Sequence, residues 1–153
     1  MSRNQIVIEA TPADVLAVLL DADCYGDWVV GSKELRGVEP EWPQPGSRFH
    51  HSQGVGPLTL DDDTKVVERS DQRLVLDVHY RPVGTALVTL SLAEREDGRA
   101  TRVTMEEEPT SGITAKLPRP LVDPLFGLRN QASLRRLAKL VERRRDGGAA
   151  SSS

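Results

Sequence analysis

Few side chains in this sequence are equipped for acid–base chemistry on an apolar substrate, and most of them lie in stretches of alternating polarity. Glu107 follows Val103 and Met105 at a spacing of two, His51 follows Phe49, Asp62 follows Leu58 and Leu60, and Tyr80 follows Leu74, Leu76 and Val78. Alternate residues of a strand share a face, so each of these polar groups is expected to point inward with its apolar neighbours. Asn130 is a comparable intrusion in a helical stripe, Phe126, Asn130, Leu134, Leu137 and Val141, whose spacing runs 4, 4, 3, 4. An interior carboxylate without partners neutralises or destabilises the fold, so Glu107 needs a donor such as His51 or Asn130, or a wet cavity. A carboxylate of raised pKa beside an imidazole is what proton abstraction next to a carbonyl requires, which makes Glu107 and His51 the catalytic candidates. Candidates for holding a ligand are Trp28, His51, Asp62, Tyr80, Glu107, Phe126 and Asn130, the rings of Trp28 and Tyr80 suiting a pocket rim. A bulge of one residue would exchange His51 for His50, or Glu107 for Glu106.

Other chemistries find little support. His50 and His51 are adjacent on a strand and face opposite ways, so with His79 they make no joint metal site. The run Asp61-Asp62-Asp63 lacks the loop glycine and terminal glutamate of a calcium loop and reads as charge protecting a sheet edge. Gly54-Val55-Gly56 joins two strands, whereas a dinucleotide site needs a following helix. Cys24 is the sole cysteine, which excludes an internal disulfide and a cysteine-built zinc site and reads as a small apolar filler. No serine or cysteine nucleophile elbow is present. Neither a cofactor nor a metal is expected.

The elements that must carry these residues are punctuated clearly. Residues 5–9 are a β-branched strand; Thr11, Pro12 and Asp14 then supply a helix cap, a first-turn proline and an early acid. Val15, Val18 and Leu19 give that helix its apolar face, Asp21-Ala22-Asp23 ends it, and a short helical turn carries Tyr25 to Trp28. From Lys33 to Glu108 the period is two. Turn signals there divide strands at 35–38, 47–53, 58–69, 73–80, 85–94 and 99–108, with an Asp97-Gly98 hairpin before the last and Pro109 to Gly112 closing the meander. The final segment is helical. Leu121, Leu125 and Leu128 lie roughly opposite its apolar stripe, which predicts a bend or break near Gly127, or burial all round upstream.

At 153 residues with 38% apolar and 28% charged content, the chain suffices for one domain with one core, taken as residues 1–146 followed by a small polar tail, 147–153, expected to be disordered. The N-terminus enters an apolar alternation with no signal-like segment, so the cytoplasm is the default. The formal charge of −3 is unevenly placed: residues 119–145 hold eight bases against Asp123 and Glu142, a net +6, leaving about −9 elsewhere. These bases lack interleaved aromatics, and a pI near 5.6 is low for a nucleic-acid binder. They read as a solvated helix face, with no nucleic acid and no membrane insertion expected.

The order strand, helix, short helix, six strands, long helix belongs to an α+β fold, since a curved antiparallel sheet must cover its apolar face and only the last helix is large enough. The segments Ile6-Val7-Ile8-Glu9-Ala10-Thr11-Pro12-Ala13-Asp14-Val15, Trp28, Pro45-Gly46-Ser47-Arg48-Phe49, Gly54-Val55-Gly56-Pro57-Leu58 and Thr101-Arg102-Val103-Thr104-Met105-Glu106 resemble, in order and spacing, the START-like (SRPBCC) superfamily in its polyketide cyclase/dehydrase-like branch. The resemblance spans about residues 3–145. It implies a helix-grip fold, a seven-stranded sheet wrapped around the C-terminal helix with an internal apolar cavity. The cavity of relatives binds lipids, hormones or polyketides, and in some it performs chemistry. Expected here is binding of a small, largely apolar, lipid- or polyketide-like molecule by a monomer or homodimer. The alternative is a polyketide aromatase/cyclase or dehydratase using Glu107 and His51 as acid and base, and a third possibility is an interaction protein acting through the basic helix. Six aromatics in the whole chain argue for aliphatic or flexible ligands over stacked planar ones.

Overall fold

The computed structural model describes residues 2–30, 32–55, 58–80 and 84–151, with side chains undescribed at 32–34, 36, 53–55, 58–61, 80, 114 and 148–151. The chain starts with β1 (Ser2–Ile8) and helix α1 (Pro12–Leu19). As the punctuation predicts, the Thr11 hydroxyl accepts the Asp14 amide at 3.2 Å and proline occupies the first turn. A single 3₁₀ turn leads into α2 (Tyr25–Trp28). Six strands follow: β2 (Ser32–Val38), β3 (Arg48–Val55), β4 (Leu58–Arg69), β5 (Arg73–Tyr80), β6 (Gly84–Arg95) and β7 (Ala100–Gly112). Helices α3 (Ile113–Lys116) and α4 (Arg119–Ser151) complete the fold.

All neighbouring strands pair antiparallel in the order β1-β7-β6-β5-β4-β3-β2. Each strand from β2 to β7 lies beside its successor, and β1 closes against β7 with Ile6 opposite Val103. Register shifts in β2, in β4 between Val66 and Glu68, and between Thr85 and Ala86 of β6 insert extra residues that bend the sheet. The bent sheet holds α4 against its concave face, which is the helix-grip arrangement. Leu134, Leu137 and Val141 of α4 are buried with Ile8, Phe49, Leu74, Val78, Leu90 and Val103 in one core. The β6–β7 connection needs left-handed backbone at Glu96, Asp97 and Gly98 (φ 52°, 57° and 85°), conformations that Asp-Gly tolerates best.

Four expectations change. The Asp61–Asp63 run does not guard an edge, because β4 lies between β3 and β5; Asp62 and Asp63 are buried, and Asp63 meets Arg48 at 3.4 Å. Pro109 to Gly112 continue β7 instead of ending the meander, pairing with residues at the start of β6. Helix α4 passes Pro124 and Gly127 without a break, and Leu121, Leu125 and Leu128 are 62%, 68% and 74% exposed, so neither a break nor all-round burial is realised. The same helix runs on through Gly147 to Ser151, since a formed helix adds residues cheaply at its end.

Candidate functional site

Strand parity decides which polar groups reach the interior. In β7, Val103, Met105 and Glu107 alternate with half-buried Thr104, Glu106 and Glu108, and Glu107 is fully buried. In β3 and β4, His51 and Asp62 pair directly across the ladder and both are buried, as is Asn130 on α4. No register shift falls between these residues and the apolar positions that set their parity, so Glu107 and His51 keep the inner face. The Tyr80 side chain lies outside the described residues.

A small cavity of about 10 Å³ sits between the sheet and α4. Its floor is Leu76 and Val78 of β5, Val88 and Leu90 of β6, and Met105 of β7; its roof is Arg129, Asn130 and Ser133 of α4; Tyr25, Trp28 and Val29 close one end. That volume is room for about one water molecule. The end wall is fixed to the roof by main-chain hydrogen bonds, the Val30 amide donating to Ser133 Oγ and the Arg129 Nε to the Val30 carbonyl, each at 3.0 Å. On the other side Asn4 donates to the Gly127 carbonyl and to Gln131 Oε1, tying β1 to the helix.

Asn130 joins the carboxylate to the cavity. Its Nδ2 donates to Glu107 Oε1 at 3.0 Å and lies 3.4 Å from Ser2 Oγ, and the Arg129 guanidinium stands 3.7 Å from the same carboxylate oxygen. Only the amide nitrogen can donate to a carboxylate, so the carbonyl Oδ1 must point elsewhere. Among the described residues Oδ1 finds no partner, and neither does the indole Nε1 of Trp28, although both atoms are hidden from solvent. Buried polar atoms are nearly always paired, by protein or by water. Here an unmatched acceptor and an unmatched donor belong to two residues lining one cavity, the complement of a hydroxyl group.

A second cluster adjoins it. Tyr25 packs its ring against Phe49 (4.6 Å), His51 (5.0 Å) and Trp28 (5.7 Å), and Trp42 meets Phe49 edge-on at 4.7 Å. His51 Nε2 is 3.1 Å from Thr64 Oγ1. Burial drives the Tyr25 hydroxyl above its ordinary pKa, outweighing the nearby Arg129 charge and the hydrogen bond with Thr64. Among the described residues four aromatics, Tyr25, Trp28, Trp42 and Phe49, therefore gather at one end of the core, a concentration that composition alone does not reveal.

Of the candidates named from sequence, Trp28 and Asn130 line the cavity, Glu107 stands directly behind Asn130, and His51 and Asp62 lie in the aromatic end between β3 and β4. Phe126 is half-buried one helical turn before Asn130 and does not line the cavity. Sequence reasoning missed Ser133, and it read Arg129 as one of the bases of a solvated face. The signal available was the neighbouring Asn130, since residues one before and three after an inward position flank the same helical face. Among the described residues no cluster of three or more metal-ligating side chains occurs.

The family model described as polyketide cyclase / dehydrase and lipid transport matches residues 2–142. A search of curated proteins returned no match. Among solved structures, TTHA0849 from Thermus thermophilus superposes with a TM-score of 0.67 at 18% identity, over 99% of each chain. Ara h 8.0201 gives 0.68 at 10% identity, over 91% of this chain and 95% of its own. The di-domain ARO/CYC StfQ from the steffimycin biosynthetic pathway gives 0.70 at 12% identity, over 94% of this chain and 51% of its own. At these identities the likeness is one of fold.

Proposed function

Because the chain belongs to the polyketide cyclase/dehydrase and lipid transport family, we propose that it binds a small, largely apolar molecule between the sheet and α4, held at one polar group by Trp28 and Asn130. The observation that carries this reading is the pair of buried, unmatched atoms, Trp28 Nε1 and Asn130 Oδ1, on two residues that line a cavity with an aliphatic floor. A ligand hydroxyl accepts from the indole and donates to the amide carbonyl, while Glu107 fixes the amide from behind. The ligand's apolar part takes the space beside Leu76, Val88, Leu90 and Met105. A ligand larger than a water requires this end of the cavity to widen, where the four-residue α2 is followed by Val30, whose main chain is hydrogen-bonded to Ser133 and Arg129 of α4.

The acid–base alternative has less behind it. Glu107 is engaged by Asn130 and Arg129, His51 by Thr64, and their strands are separated in the sheet by β4, β5 and β6. In the binding reading Glu107 positions Asn130. Native mass spectrometry of the freshly purified protein, followed by denaturing extraction, tests it: a lipophilic adduct at one per chain, or a 1:1 complex on adding a long-chain alcohol, is expected. A clean apo mass that the alcohol leaves unchanged overturns it. Conversion of a polyketide-like substrate that Glu107→Gln abolishes without weakening its binding would replace it by the enzymatic reading.

A further inference from the structure

The exposed face of α4 departs from the solvated, charged surface expected of its bases. Leu121, Leu125 and Leu128 fall within about 60° on the helix and are each more than three-fifths exposed, and Ile113 and Leu117 just before them are 60% and 44% exposed. The same stripe continues through Ala132 to Arg135, Arg136, Lys139 and Arg143, all four of these cations exposed. Among the described residues none of the four makes an ion pair. Over about 33 Å of helix, one face is therefore aliphatic at its N-terminal third and cationic along the remainder.

We propose that this face docks the protein on the surface of an anionic lipid bilayer. The leucines enter the boundary between headgroups and acyl chains, and the arginines and lysine meet lipid phosphates further along the same helix. Aliphatic side chains beside a row of unpaired cations are what an interfacial helix requires, and the charge of an anionic leaflet is complementary to that row. A second copy of this chain is a poorer occupant. Five exposed aliphatic side chains fall far short of the roughly 20–30 residues a side of a stable protein interface, and the cations would stay unmatched. A nucleic acid would satisfy the cations and leave the leucines in water. Docking here is peripheral: no described helix is long and apolar enough to cross a membrane. The inference stands independently of what the cavity holds, although the docked segment is the outer side of the turns whose inner side roofs that cavity.

Flotation of the full chain with vesicles tests it. Partitioning onto phosphatidylcholine vesicles containing phosphatidylserine is expected to exceed that onto phosphatidylcholine alone by about tenfold or more, and to fall as salt rises. The triple variant Leu121→Ser/Leu125→Ser/Leu128→Ser, and separately the variant Arg135→Gln/Arg136→Gln/Lys139→Gln/Arg143→Gln, should each lose about tenfold or more while keeping the native circular dichroism, because every altered side chain faces solvent. Equal partitioning onto both vesicle types, or flotation of the leucine variant like the parent, overturns the proposal. So does a concentration-dependent dimer in sedimentation that the leucine substitutions abolish, since it would give the face to a second copy.

Discussion

At the residue scale, Asn130 presents two different ends: its Nδ2 donates to Glu107, and its Oδ1 is buried and unmatched among the described residues. Replacing it with leucine removes the donor to a fully buried carboxylate, so Asn130→Leu should cost about 1.5–3 kcal/mol by urea denaturation, the range for hydrogen bonds to charged groups. A loss under half a kilocalorie would mean that Arg129 holds Glu107 without it. Cys24 gives a second expectation. Burial, with the Asp21 hydrogen bond and charge adding and the Arg144 charge opposing, pushes its thiol up to about 11 from an ordinary 9.0. Iodoacetamide should therefore modify the folded protein slowly at pH 8, with the rate still climbing above pH 10. The folded value lies above the unfolded one, so the associated stability is complete below about pH 9 and is lost as pH rises towards 11. Rapid alkylation at pH 8 without unfolding would contradict the buried setting. The inward positions of Glu107, His51, Asp62 and Asn130 were legible in the sequence because side-chain period is a local property. The unmatched atoms of Trp28 and Asn130 were not, since satisfaction depends on partners more than twenty positions away along the chain.

At the scale of elements, turn chemistry and period locate the strands within a few residues, and the departures have identifiable causes. Pro109 looked like a terminator, but a bulge at Thr85/Ala86 lets β7 carry it and pair onward to Gly112. The Asp61–Asp63 run looked like edge protection because strand order is set by tertiary pairing and cannot be read from one strand. Two glycines test the geometry in opposite directions. At Gly127, inside α4, an added Cβ meets nothing within 4 Å, so Gly127→Ala should stabilise by about 0.5–1 kcal/mol through lost unfolded-state freedom. At Gly84, φ is 152° and a Cβ would lie 2.1 Å from the Ser111 carbonyl oxygen, so Gly84→Ala should be clearly destabilising. Thermal unfolding of both variants measures this; stabilisation by Gly84→Ala would contradict the close approach of the Gly84 backbone to Ser111.

On the scale of the whole molecule, one core spans the sheet, α1, α2 and the middle of α4, and unfolding should be a single cooperative event. Tryptophan fluorescence reports the aromatic end through Trp28 and Trp42, circular dichroism reports the entire sheet and helix, and the two urea transitions should coincide. Separate midpoints would divide the core. The uneven charge, a basic helix on an acidic body, was visible from composition, whereas the exposed leucines sharing its outer stripe required the fold. The central claim is that a ligand's polar group lies between Trp28 and Asn130, and the indole N–H resonances address it most directly. Trp42 Nε1 already donates to the Leu20 carbonyl at 2.8 Å and serves as the internal reference. On titration with a long-chain alcohol, the account predicts that the Trp28 resonance shifts while that of Trp42 stays, with an affinity about 10- to 100-fold above that for the alkane of equal length, the worth of two hydrogen bonds. Alcohol and alkane binding equally, or a Trp28 resonance that neither moves, would contradict it.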